Sequence, residues 1–141
     1  METDDLSIED CWRLLRRIPV NIDGVSPWII WSENLKAWIP TSAAFQGHKT
    51  NRRAFSVHLE PVLTEHGLTH DSVVLDRDKF ALAAFTAGQA RAQRQVIERN
   101  PLPGDPAHAN LLGDKSGSIK KNLRDCSVWV IAPTLPPPAA A

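Results

Sequence analysis

FALAAFTAGQARAQ, residues 80–93, decides what fold this chain can make. Its first half, Phe80–Thr86, is a compact apolar run that by itself fits a buried strand or a helix. Ala83, Ala84 and the alanines on to Ala92 favour helix by propensity, but Gly88 interrupts it. We read a strand over 80–86 passing directly into a short helix over 87–94.

The segments on either side repeat that alternation of short elements. Downstream, 95–99 reads as a strand closed by Asn100-Pro101, and 107–112 as another that Gly113 ends. Ser116 and Ser118 are candidate N-caps for a helix over 119–125, followed by a strand over 128–131. Upstream, 55–59 alternates as a strand. Residues 60–66 make a short helix with Pro61 in its first turn and Gly67 at its end. Residues 28–31 and 36–39 read as a hairpin turning at Glu33-Asn34, and 46–53 as an exposed loop. At the start, Ser7 as N-cap, Glu9 and Asp10 in the first turn, and Trp12 with Leu15 on one face predict a helix over 8–16, ended by Pro19. Asp23-Gly24 reads as a turn.

Short strands interleaved with short helices predict an α+β fold: a single compact domain over 1–133 with a mainly antiparallel sheet. The Pro/Ala-rich tail over 134–141 is expected to be disordered or extended.

Composition fits ordinary globular usage, with 43% hydrophobic and 23% charged residues, so a packed core is within reach. Sixteen basic and sixteen acidic residues cancel. No overall field draws nucleic acid or an anionic membrane, and such binding would need a local patch. The acidic start lacks an apolar signal segment, and no apolar run spans a membrane. We therefore expect a soluble cytoplasmic protein of bacterial style, with Cys11 and Cys126 as reduced thiols. Four of the five tryptophans, Trp12, Trp28, Trp31 and Trp38, crowd the first 38 residues, as core, partner surface or base-stacking platform.

PTSAAF at 40–45, FSVHL at 55–59, AGQARAQ at 87–93 and DPAHANLLG at 105–113 occur in one order. In this the chain resembles a group of small stand-alone bacterial proteins sharing P-[ST]-S-A-A-F and D-P-A-H-A segments. The resemblance covers roughly 28–131. It implies one domain and carries no activity.

Few residues stand out for chemistry. His108 lies between two alanines at the start of a strand, and histidine serves as acid or base near neutral pH. His58 is a second candidate. Lys115 and Ser116 open a helix whose backbone N–H groups could hold a phosphate, although Asp114 before the lysine excludes a Walker A loop. Ser42 could present a hydroxyl to a ligand without a nucleophile elbow around it. Arg91, among alanine and glutamine, could be partly buried and aimed at an anion. His66 and His70 are four apart, but Gly67 between them breaks the helix a metal pair would need. No metal or cofactor is expected.

Two functions follow. The first is a non-enzymatic binding or interaction module for a protein partner, a larger assembly or a nucleic acid. The alternative is a small metal-independent enzyme acting on a phosphate-containing substrate, RNA or nucleotide. There His108 would be acid or base, Arg91 and Lys115 would hold the anion, and Ser42 or His58 would assist. That alternative requires Ser42, His58, Arg91 and His108 around one pocket, and fails if the two histidines lie on opposite faces of the sheet.

Overall fold

The structure, a computed structural model, describes residues 2–21 and 24–138. Its elements run β1 (Arg13–Pro19), β2 (Ile29–Ser32), β3 (Ala37–Pro40), a 3-10 turn (Ser42–Phe45), β4 (Ala54–Leu59), α1 (Glu60–Glu65), α2 (Asp71–Val74), β5 (Phe80–Thr86), α3 (Ala87–Ala92), β6 (Val96–Arg99), β7 (His108–Leu112), α4 (Gly117–Cys126) and β8 (Val128–Ile131). Six strands form one antiparallel sheet in the order β6-β7-β4-β1-β5-β8, and β2 with β3 forms a separate hairpin. The fold is α+β, one compact domain with a mainly antiparallel sheet.

The switch from strand to helix after residue 86 has a local cause. Thr86 Oγ1 accepts from the Gln89 N–H, and Gln89 Oε1 accepts from the Thr86 N–H. This reciprocal capping box starts α3 where β5 stops. The glycine ending α1 also behaves as its position predicts: Gly67 has φ +67°, a conformation that costs glycine little.

The helix expected over 8–16 does not form; this is the main correction. Only its arginine-rich end, from Arg13, is strand: it begins β1, a central strand flanked by β4 and β5. Ser7 does not cap a helix, because its N–H and hydroxyl both donate to Asp5 Oδ1. Asp4 and Asp10 receive Arg91, and Asp5 receives Arg99. Asp10, one of the two acids expected in a first turn, therefore serves a long-range ion pair. Pairing on both edges outweighs a local preference worth tenths of a kcal/mol per residue, about 0.7 kcal/mol at most.

One side of the sheet carries Phe55 and Phe85, which meet Phe45 of the 3-10 turn edge to face at centroid distances of 6.3 and 6.1 Å and each other at 6.5 Å. Leu14, Ile18, Leu111 and Leu123 of α4 are fully buried in the same core. The tryptophans mostly pack. Trp38 is buried with the Trp31 ring edge-on at 5.5 Å, its indole N–H donates to Leu135 O, and the Trp129 indole donates to Trp38 O. These bonds tie the hairpin to β8 and to the segment after it. Residues 132–138 have no regular structure, although Thr134 Oγ1 also donates to Arg77 O. Residues 139–141 of the expected tail, and Asp23 of the expected turn, lie outside the described residues. Cys11 and Cys126 are free thiols. No helix among the described residues is long and apolar enough to cross a membrane.

Candidate functional site

β4 and β7 place the two histidines together. In their register His58 lies directly opposite His108, so both side chains leave the same face of the sheet. The rings meet edge to face with centroids 5.6 Å apart. Leu15 is the partner of His58 on β1 and shares that face. The condition on which the enzyme reading would have failed is therefore not met.

The loop between β6 and β7 orients both rings. It turns tightly at Pro103-Gly104, where Leu102 and Asp105 exchange backbone hydrogen bonds and Gly104 adopts φ +73°. That turn sets Asp105 Oδ2 2.9 Å from His58 Nε2. On the other ring, His108 Nδ1 lies 2.9 Å from the Asn100 carbonyl oxygen, which can only accept. Nδ1 therefore carries the proton in the neutral ring. Nε2 presents a lone pair, and the Ser56 hydroxyl donates to it over 3.1 Å.

His58 is more enclosed than its role as a carboxylate partner would suggest. Its Nδ1 is buried and has no hydrogen-bond partner among the described residues. Burial pushes the imidazole below its ordinary 6.5, and the hydrogen bond to Asp105 offsets only part of this. As pH falls through 6.5 the unfolded chain takes up this proton before the folded one does. Stability is then lost on the acid side, with unfolding favoured by protonation. Denaturant melts above and below pH 6.5 are expected to show that loss, and His58→Gln to flatten it. An unchanged pH slope in the variant would reject the assignment.

Beside the histidines the sheet opens. β1 and β4 pair only at Leu14–Leu59 and Leu15–His58, then part. The Arg16 guanidinium fills the gap. Its Nη1 donates to Ser56 O at 3.0 Å and its Nε to Ala44 O at 3.1 Å, with Cζ 4.4 Å from the Phe55 ring centre. Arg16 is 7% exposed, and among the described residues no carboxylate pairs with it. Burial lowers its pKa to about 10, so it remains charged at neutral pH.

A pocket of about 350 Å³ lies over this gap, lined by Arg16, Arg17, Ser56, His58, Trp28, Phe80 and the 46–49 segment with His48 and Lys49. Among the described residues, no aspartate or glutamate lines it. Asp105 bonds to the lining residue His58 and does not itself line the pocket. Arg17 is partly engaged, donating to Val73 O and lying over Phe80. The 46–49 wall is held by the His48 N–H donating to Ala54 O. It also needs Gly47, because a Cβ there would sit 2.0 Å from the Arg52 carbonyl oxygen.

Of the four residues the enzyme reading required around one pocket, Ser42, His58, Arg91 and His108, only His58 lines this one, and Lys115 and Ser116 also lie outside it. Ser42 begins the 3-10 turn, whose N-cap is Thr41. Arg91 closes the N-terminal segment onto α3 through Asp4, Asp10 and Asp5 O. Lys115 Nζ is surrounded by oxygen acceptors on Arg53, Gln95, Leu111 and Gly113 at 2.6–3.2 Å. Burial draws it down to about 8, while that cage receives its protons. Ser116 holds the N-cap position of α4 without a side-chain cap bond. Sequence reasoning missed Arg16 and Ser56. Ser56 had a signal: in FSVHL it is two residues from His58, so a strand puts both on one face.

Comparison with protein-family models, with curated proteins and with solved structures finds no match to this chain. The site is therefore read from its own geometry.

Proposed function

We propose that the protein is a binding module for a small phosphate-bearing ligand of nucleotide size, seated in the pocket between β1, β4 and residues 46–49. One observation carries this reading. Among the described residues, Arg16 is a buried cation with no carboxylate partner, in a pocket whose lining holds two further cations and no acid. A buried charge left unpaired is costly, and an anion entering the pocket would compensate it. Trp28 and Phe80 add aromatic surface for the rest of the ligand. The volume falls at the lower end of small-molecule sites, roughly 300–1,000 Å³.

The test is a thermal shift series with inorganic phosphate, nucleoside mono- and diphosphates and cyclic nucleotides. A ligand that binds only the folded state raises the melting temperature by mass action. Nucleotides are expected to raise it more than inorganic phosphate, and Arg16→Met to remove the shift. No shift with any phosphate compound, or an equal shift in the variant, would overturn the reading.

A further inference from the structure

The geometry points to Ser56 as a nucleophile, with His108 as its general base, acting on carboxylic esters of small anionic molecules. This rests on the anion-pocket reading for its choice of substrate, though not for the reactivity of Ser56. Three observations support it. The Ser56 hydroxyl donates to His108 Nε2 at 3.1 Å, which is the bond a serine nucleophile needs. The Asn100 carbonyl fixes the tautomer that leaves Nε2 free to take the proton. Ser56 also lines the cationic pocket, whereas His108 does not, so the base sits behind the nucleophile.

A histidine needing only a structural partner has no reason to find it on the wall of such a pocket. The Arg16 guanidinium donates to the Ser56 carbonyl oxygen and lines the same pocket. A cation in that pocket favours a developing oxyanion.

The reaction balances without another reagent than water. Ser56 Oγ attacks the ester carbonyl carbon and its proton passes to His108 Nε2. The tetrahedral intermediate collapses, the carbon–oxygen bond to the alcohol breaks, and the alcohol oxygen takes that proton. Water then attacks the acyl-Ser56 ester, giving a proton to Nε2, and the proton returns to Ser56 Oγ as the acid leaves.

The experiment uses three probes on the full chain: p-nitrophenyl glutarate with an anionic acyl group, neutral p-nitrophenyl butyrate, and a neutral fluorophosphonate. The fluorophosphonate is expected to label Ser56, read by peptide mass spectrometry. Nitrophenol release is expected to favour the glutarate. Ser56→Ala and His108→Gln are each expected to lower kcat/KM by at least ~100-fold. Both variants are checked for a retained melt. The first deletes one hydroxyl and the second keeps a donor and an acceptor on the side chain. No label at Ser56, or equal labelling in His108→Gln, would overturn the dyad. A labelled Ser56 without preference for the glutarate would overturn the anionic-substrate assignment and the pocket reading, leaving the dyad in place.

Discussion

Phe55→Ala is expected to lower folding stability by about 3–5 kcal/mol, the range for truncating a buried phenylalanine. Phe55 is fully buried and meets both Phe45 and Phe85 edge to face. Its ring also receives two cations, with Arg16 Cζ at 4.4 Å and Lys115 Nζ at 5.3 Å from its centre. Removing the ring therefore opens a cavity and takes an aromatic partner from two cations at once. Because Arg16 bridges the parted strands, the pocket is expected to loosen together with the core. Urea unfolding measures the first effect and nucleotide-induced thermal shift the second. A loss within ~1 kcal/mol would show that the three rings are not the centre of the core.

Arg16→Met is expected to separate stability from binding. The variant loses hydrogen bonds to Ala44 O and Ser56 O, each worth about 1 kcal/mol net. It also removes a buried charge that has no carboxylate partner among the described residues, and replacing buried ionic groups by apolar ones of similar size is often neutral or stabilising by about 1–4 kcal/mol. The terms oppose, so folding stability is expected to change by no more than about 1 kcal/mol. Affinity for a phosphate ligand is expected to fall by about 2–5 kcal/mol, roughly 30-fold or more. Calorimetric titration and chemical denaturation on the same preparation read both quantities. A large loss of stability with unchanged affinity would make Arg16 a structural plug of the gap and nothing more.

What could be read from sequence follows from where each cue acts. The hairpin, the Pro61 and Gly67 boundaries of α1 and the change from β5 to α3 depend on neighbours within a few residues. Their chemistry is visible in the string. β1 was misread because a helix start and a central strand share cues here. Ser7, Glu9 and Asp10 suit a first turn, and only contacts with Arg91 and Arg99, far along the chain, show what the acids at Asp4, Asp5 and Asp10 meet. The same misreading hid Arg16, since an arginine on the outside of a short helix attracts no attention.

At the site, His58 and His108 were legible by residue type, but their pairing came from strand register. Arg91 and Lys115 were sensible choices for holding an anion. Their partners are internal, two aspartates for one and a cage of oxygen atoms for the other, and no local pattern shows this.

The position of β1 also sets the order in which the sheet can assemble. The earliest strand in the chain occupies the middle of the sheet, with Leu14 facing Leu59 on one edge and Arg13 facing Thr86 on the other. During synthesis β1 must therefore wait, with both edges open, until β4 and then β5 have been made. Closing such distant pairs costs loop entropy before any contact offsets it. Topologies of this kind fold in milliseconds to seconds, and the waiting strand is exposed to wrong partners meanwhile. Arginines at three of its seven positions would keep that nascent strand soluble and self-repelling until its neighbours arrive.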